Sequence, residues 1–197
     1  MTPFEFACVG DNCIDRFGPP LNVSLVGGNA LNVAVQLSQH SRPTAYFGAV
    51  GNDLDGDLTI NVLAQNNVPT HHIQRQDAAT AYTEISFTAD GDRFFDFEEF
   101  GASGVYRPSA LDLDALKNMR HVHIGWLNDG GVTKKFLRKH NVSVSQDLTV
   151  NAEPEHLDPD DLSIAFAAST NSKQEARVLA QELFASGAHC AIVTCGT

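Results

Sequence analysis

Residues 26–32 read Val-Gly-Gly-Asn-Ala-Leu-Asn, and the residues that follow have helical spacing. Leu31, Ala34 and Val35 fall on one face of the helix that this spacing predicts. Because glycine adopts backbone conformations that other residues avoid, the glycine pair suits a tight connection between a strand and a helix. The stretch therefore predicts a strand, a glycine turn and a helix, which is the repeating connection of α/β folds.

The same alternation continues along the chain on both sides of this turn. Short apolar runs predict strands at 5–9, 44–50, 121–124, 142–147, 163–167 and 190–194. Amphipathic windows predict helices at 29–38, 55–65, 111–119, 132–139 and 172–186. We expect an α/β fold over residues 1–197, with one mostly parallel sheet covered by helices on both faces.

One region departs from this alternation. Residues 82–89 and 93–100 read as two extended runs joined at residues 90–92, which is typical of a β-hairpin. Strand alternation places Phe95 and Phe97 on one side of the second run and the acidic residues beside them on the other. Such a ribbon can cover a binding site or pair with a second subunit; an edge hairpin packed on its own core is the alternative.

The charge balance limits the classes of partner. The net charge is −11 with only 13 Lys and Arg, so nucleic acid and anionic membrane surfaces are repelled. The sequence contains no apolar run of about 18 residues and no export signal, and we expect a cytoplasmic protein with free thiols. Cys8, Cys190 and Cys195 lie in or beside apolar strand-like runs, and we expect them to be buried.

Polar side chains directly follow the first predicted strand. Asp11, Asn12 and Asp15 lie where open α/β proteins bind their ligands, at the carboxyl end of a strand. Carboxylates accept hydrogen bonds from adjacent hydroxyls, and an amide both donates and accepts, so these residues suit a polyhydroxylated ligand. The alternative is that they only close a turn.

A second polar segment opens the helix after the glycine pair. Asn29 and Asn32 lie in its first turn, beside backbone N–H groups that bind polar or anionic ligands. The segment matches neither G-x-G-x-x-G nor G-x-x-x-x-G-K-[ST], and the spacing of the histidines fits no metal site. An ordinary glycine turn with Asn29 as the N-cap is the alternative.

Taken together, three segments resemble the N-terminal part of the ribokinase-like, or phosphofructokinase-B-type, carbohydrate kinases. They are Gly-Asp-Asn-Cys-Ile-Asp at 10–15, Gly-Gly-Asn-Ala-Leu-Asn-Val-Ala at 27–34, and Val-Gly-Asn-Asp at 50–53 with Gly56. The first is most similar to the fructoselysine 6-kinases. The resemblance implies a ribokinase-like domain with a small β lid, built from strands around 10–25 and 80–100, and a homodimer formed through that lid.

The resemblance also implies an activity and a site. The reaction would transfer the γ-phosphoryl group of ATP to a primary hydroxyl of a sugar or fructosamine, with Mg²⁺ neutralising phosphate charge. The positions that match the family's sugar site are Asp11, Asn12, Asp15, Gly27, Gly28, Asn29 and Asn32. The positions that match the start of its ATP site are Thr194 and Gly196.

Two departures limit this resemblance. The family's Asn-x-x-Glu magnesium motif is one residue too long at 171–175, so the metal ligands stay unassigned. The Gly-Ala-Gly-Asp motif, which supplies the anion hole and the catalytic base, does not follow the nucleotide loop before Thr197. We therefore expect a fold that is incomplete at the C-terminus and 197 residues that do not turn over alone. A non-catalytic sugar-binding or regulatory protein derived from such a kinase, and an unrelated α/β domain, are the alternatives.

Overall fold

The computed structural model describes residues 4–88, 93–169 and 172–195. Its strands are β1 (Phe6–Val9), β2 (Cys13–Phe17), β3 (Val23–Gly27), β4 (Thr44–Gly51), β5 (Ile73–Gln76), β6 (Tyr82–Phe87), β7 (Arg93–Glu99), β8 (His121–Ile124), β9 (Ser143–Asp147), β10 (Ile164–Ser169) and β11 (Ala191–Cys195). Its helices are α1 (Asn29–Gln39), α2 (Leu54–Gln65), α3 (Gly101–Val105), α4 (Ala110–Leu116), α5 (Val132–Lys139) and α6 (Lys173–Ala185).

The main sheet has seven strands in the order β11-β10-β9-β8-β1-β4-β5. Every neighbouring pair is parallel. All eight residues of β4 are buried, because helices cover both faces of this part of the sheet and leave no strand face for water. The predicted parallel sheet is confirmed, whereas β5 and α3 were not predicted because such short segments carry too little periodicity.

Helices cover both faces of the sheet, as predicted. On one face α1 and α2 bury a cluster that includes Cys8, Leu31 and Tyr46. On the other face α4 and α5 bury a larger cluster that includes Leu116 and Leu137. Truncating a buried leucine of this kind to alanine costs about 3 kcal/mol, so both layers contribute to the stability that holds the sheet in place.

A smaller sheet of four strands has the order β3-β2-β6-β7. Strand β2 pairs antiparallel with β3 and parallel with β6, and β6 pairs antiparallel with β7. The turn predicted at 90–92 between the last two strands lies outside the described residues. All seven residues of β7 are exposed, so the outermost strand of this sheet lies in solvent along its whole length.

A β-bulge in this sheet corrects the predicted orientation of two aromatic side chains. Phe95 lies opposite Ile85, and Phe97 lies opposite Glu84, so Asp96 is an extra residue between the two pairs. Because Glu84 and Ile85 are adjacent on β6, they face opposite sides of the sheet. The predicted placement of Phe95 and Phe97 on one side is therefore wrong.

The four cysteines are free thiols, as predicted. Cys8 is buried, but Cys190 and Cys195 are exposed, which corrects the prediction that they lie inside. Strand β11 is an edge strand of the main sheet, so the residues in and beside it are less covered than those of a central strand. Among the described helices, none combines the length and the apolar composition needed to cross a bilayer.

Candidate ligand site at the carboxyl edge of the sheet

A cavity of about 360 Å³ lies between the carboxyl ends of the central strands and the smaller sheet. We call it the inner cavity. The connection from β1 to β2 supplies Asp11, Asn12 and Cys13 to its wall, and the segment after β8 supplies Trp126. The smaller sheet supplies Thr83, Phe95 and Glu98. The volume lies in the range of small-molecule sites.

Asp11 holds three segments together at the base of this cavity. Its carboxylate accepts hydrogen bonds from the backbone N–H groups of Asn29 at 2.5 Å, Ala30 at 3.2 Å and Trp126 at 2.8 Å. Burial raises the pKa of Asp11, and these backbone hydrogen bonds oppose that rise. Because a carboxylate has about four acceptor positions, most of its capacity is already used. Asp11 therefore fixes the start of α1 against β1 and the segment after β8.

Asn12 is completely buried beside it. Its amide nitrogen donates to the Tyr46 hydroxyl at 3.0 Å and to the Ala49 carbonyl at 2.8 Å. Its backbone carbonyl accepts a hydrogen bond from the Ser103 hydroxyl at 3.1 Å. The side-chain oxygen has no partner among the described residues, although an unpaired buried acceptor costs on the order of 1–3 kcal/mol. Asn12 thus contributes one unused acceptor to a wall that is otherwise fixed.

Asp15 lies one step further along β2, next to the glycine pair. Its carboxylate accepts a hydrogen bond from the Cys13 thiol at 3.1 Å, and burial together with the Asp15 charge raises the pKa of that thiol. A Cβ on Gly27 would lie 2.6 Å from the Asp15 carboxylate, and one on Gly28 would lie 2.5 Å from the Asn12 Cα. Both glycines are therefore required by the close approach of the polar residues. Asp15 is not among the residues that line the inner cavity, but it pairs with Thr83, which is, and its carboxylate accepts from one described side-chain donor, the Cys13 thiol.

Asn29 and Asn32 are not among the residues that line the inner cavity. Gly28 is the N-cap of α1, so Asn29 is its first helical residue. The Asn29 side chain accepts from His123 Nε2 at 2.9 Å and donates to the Asp147 carboxylate at 2.7 Å. Asn29 lines another cavity, of about 370 Å³, on the α1 side of the main sheet. Asn32 is exposed on α1.

Asn29 ends a chain of hydrogen bonds that sequence reasoning did not find. His123 Nδ1 lies 2.9 Å from the Ser145 hydroxyl, which also lies 2.8 Å from His121 Nε2. Since an ionised carboxylate only accepts, Asp147 fixes the direction of the Asn29 amide, and His123 Nε2 must donate. Burial lowers the pKa of His123 to about 4, which agrees with a neutral ring. His121 and His123 are therefore hydrogen-bonded side chains of β8.

Thr194, one of the two predicted nucleotide-site positions, lies near the end of β11. The Thr194 hydroxyl donates to the Ala167 carbonyl at 3.4 Å, and Thr194 lines the same cavity as Asn29. Gly196 lies outside the described residues. Sequence reasoning also missed Thr83, Glu98 and Trp126 as lining residues. Trp126 comes two residues after the end of a predicted strand. This position could have identified it as a candidate lining residue, because open α/β folds bind ligands at the carboxyl ends of strands.

The parallel sheet has helices on both faces, a second sheet over its carboxyl edge and a polar cavity between the two sheets. This is the arrangement in which α/β proteins bind small polar molecules. The pattern of the pfkB family of carbohydrate kinases matches residues 20–159. A fructoselysine 6-kinase of Escherichia coli (strain K12) is 30% identical over 202 residues, which cover 96% of this chain and 73% of the relative. The chain therefore belongs to the pfkB family of carbohydrate kinases.

Other similarities agree with this assignment. A fructosamine kinase of Bacillus subtilis (strain 168) is 32% identical over 91 residues, which are 46% of this chain and 32% of that protein. The structure of Arabidopsis thaliana ribokinase complexed with ribose and ATP superimposes with a TM-score of 0.80 at 19% identity, over 100% of this chain and 73% of that one. The ribokinase-like fold and the carbohydrate kinase family predicted from the sequence are confirmed.

Proposed function

We propose that this protein acts as an ATP-dependent kinase, which phosphorylates a primary hydroxyl of a sugar or fructosamine. We also propose that the inner cavity holds the sugar. The observation that supports this most directly is the cavity itself, which combines acceptor side chains with a volume of about 360 Å³. Its position at the carboxyl edge of a parallel sheet is where open α/β folds bind ligands. Membership in the carbohydrate kinase family supports the reaction class.

Asp15 is the residue that we assign to the recognition of sugar hydroxyls. Its one side-chain partner is the Cys13 thiol, a weak donor that leaves acceptor positions open. Asp11 and Asn12 then act mainly by positioning, because their side chains are held by backbone and core partners. Asn29 and Asn32 contribute to the sugar site in this proposal only if the ligand extends to the start of α1.

The smaller sheet acts as the lid of this single domain. Phe95 and Glu98 lie over the inner cavity, so the lid would exclude water from the sugar and prevent hydrolysis of ATP. Phe94 and Phe97 lie on the opposite face, with exposed fractions of 58% and 46%. Exposed aromatic rings on the outer face support a homodimer through the lid. We also propose a cytoplasmic location.

ATP would bind at the carboxyl ends of β10 and β11, where Thr194 lies. The fructokinase of Xylella fastidiosa, whose structure has bound ATP, superimposes with a TM-score of 0.72 at 18% identity over 98% of this chain and 73% of that one, which supports this proposal. Mg²⁺ takes one or two carboxylates in addition to phosphate oxygens and neutralises their charge. The residues that would hold Mg²⁺ stay unassigned, and the described residues contain no group of three metal-binding side chains.

Calorimetry with fructose, ribose and a fructosamine tests the sugar site on the 197-residue chain. We expect Asp15→Asn to weaken sugar binding about tenfold or more, since a hydrogen bond to a charged group is worth about 1.5–3 kcal/mol. Asp114→Asn is the control, because it removes the same charge from the exposed surface of α4, away from the cavity. This variant should bind the sugars with the affinity of the wild type.

An ADP-release assay on the product of the natural reading frame tests the phosphoryl transfer. Release of ADP that depends on a sugar is the expected result. Sugar binding without ADP release would favour a non-catalytic sugar-binding protein. If none of the sugars binds, the proposed function is wrong.

A further inference from the structure

The connection between β9 and β10 forms part of the wall of the inner cavity. It spans residues 148–163, all of which the structure describes, and it contains no helix or strand. Thr149, Val150 and Asn151 line the cavity, and the Asn151 carbonyl accepts a hydrogen bond from the Trp126 indole N–H at 2.7 Å. Long connections without secondary structure are uncommon in compact domains. This part of the wall therefore depends on the side chains that hold the loop in place.

Lys134 on α5 holds this loop from the interior. Its exposed fraction is only 2%. Its ammonium group donates to the carbonyl of His156 at 3.1 Å and to the carbonyl of Asp158. The side-chain amide of Gln146, also buried, donates to the same His156 carbonyl at 2.7 Å. Two buried side chains thus converge on one peptide group and fix the position of residues 156–158.

The buried position of this lysine is costly. Its neighbours Thr133 and Leu137 are buried as well, so this face of α5 is one on which an apolar residue is usual. Burial of a charged group costs free energy unless hydrogen bonds compensate for the lost water. Burial lowers the pKa of Lys134, and the charge of Asp158 opposes this effect. Both hydrogen-bond acceptors belong to the loop, so the ammonium group serves the loop rather than the helix that carries it.

His156 connects the fixed part of the loop to Trp126. Its ring Nε2 lies 3.3 Å from the Gly125 carbonyl oxygen and 3.4 Å from the Leu127 backbone nitrogen. These two residues flank Trp126, whose backbone N–H donates to the Asp11 carboxylate at 2.8 Å. A displacement of residues 156–158 is therefore transmitted to both sides of Trp126.

On the basis of the proposed sugar site, we propose that Lys134 is a positioning residue for the inner cavity. Its ammonium group anchors the loop and thereby sets the place of Trp126 and Asn151 in the cavity wall. Lys134 is not among the residues that line the cavity, so it acts on the sugar only through the loop. Without the ammonium group this wall loosens, while Asp11 keeps its backbone donors on the opposite side. Sugar binding then weakens without being abolished.

The variant Lys134→Met tests this proposal, because it removes the ammonium donors and keeps an unbranched side chain. Trp126 is the only tryptophan of the chain, so its fluorescence reports on the loop side of the wall. Without sugar, we expect acrylamide to quench the folded variant about twofold more strongly than the wild type, because the loop opens locally. Fructose, ribose and a fructosamine are then titrated. The sugars that bind the wild type should bind the variant about 3–10-fold more weakly, since the wall is no longer preorganised.

Leu63→Ala is the matched control. Leu63 is completely buried in the cluster on the α2 side of the sheet, so its truncation lowers stability without altering the contacts of the loop. The folded control should equal the wild type in both quenching and sugar affinity. Lys134→Gln keeps an amide donor and should change both quantities in the same direction as Lys134→Met but less. It provides the same test if the methionine variant does not fold.

Two results would overturn the inference. In the first, acrylamide quenches the Lys134 variants and the wild type equally. In the second, Leu63→Ala reproduces the changes of Lys134→Met, which would mean that the lysine contributes only to stability. If no sugar binds the wild type, the proposed function is wrong, and the quenching comparison still decides whether Lys134 anchors the loop.

Discussion

The two walls of the inner cavity are built in opposite ways. In the wall formed by Asp11 and Asn12, the carboxylate accepts three backbone hydrogen bonds and the amide is completely buried. In the wall formed by the lid, every residue of β7 is exposed, and Phe95 and Glu98 meet the cavity from a solvated strand. The first wall uses its polar groups to hold the fold, whereas the second keeps its side chains available to a ligand. Substitutions in the two walls should therefore have different consequences.

The largest effect is expected for Asp11→Ala. This change leaves the backbone N–H groups of Asn29, Ala30 and Trp126 without their acceptor. Each unsatisfied buried donor costs about 1–3 kcal/mol, so we expect the free energy of unfolding to fall by roughly 3–5 kcal/mol. Urea denaturation of the variant, with Asp114→Ala on α4 as the control, measures this. A loss below about 1 kcal/mol would show that the wall does not depend on Asp11.

A smaller loss of stability is expected when the pH is lowered, because His123 lies next to Asn29 at the start of α1. The pKa of His123 is lowered from 6.5 to about 4 in the folded protein. Between these values the unfolded chain binds more protons, so stability is fully present above pH 6.5 and is lost as the pH falls toward 4. We expect His123 to contribute about 2 kcal/mol of loss between pH 7 and pH 5.

The variant His123→Gln isolates this contribution, because glutamine can donate to the Asn29 amide oxygen but does not titrate. Urea denaturation at both pH values should show a smaller loss for the variant than for the wild type. Burial also lowers the pKa of His121 and of His156, so part of the change in stability with pH should persist in the variant. If the variant and the wild type lose the same stability between the two pH values, the loss does not come from His123.

The smallest effect on stability is expected in the lid. Phe95→Ala removes a ring that is 59% exposed, so the free energy of unfolding should stay within about 0.5 kcal/mol. Sugar affinity should fall several-fold, because the ring lines the inner cavity. Phe94→Ala is the matched control, since its ring is 58% exposed on the other face of β7. Equal losses of affinity in the two variants would contradict the placement of the Phe95 ring in the cavity wall.

The main sheet could be predicted from the sequence because its signals are local. Strands such as β4 are continuous apolar runs, and the glycine pair marks the start of α1. The family resemblance depended on short motifs of the same kind, and the position of Asp11 and Asn12 in the cavity wall followed from the strand that precedes them.

The features that sequence reasoning missed depend on distant partners. The orientation of Phe97 is set by its pairing with Glu84 across the bulge, and alternation along one strand cannot reveal a shift between two strands. The direction of the Asn29 side chain is set by His123 and Asp147, which are far away in sequence. The exposure of Cys195 follows from the place of β11 at the sheet edge, and strand order cannot be read from composition.

The hydrogen bond from Trp126 to Asp11 also bears on how the protein folds. It joins residues 115 positions apart, and β1 pairs with β8 at its side only after the chain up to residue 124 is available. Closing so long a loop is costly in entropy, so contacts of this kind form late. During synthesis the ligand site is thus completed well after its first strand has emerged. A defect at Asp11 should accordingly accelerate unfolding more than it slows folding.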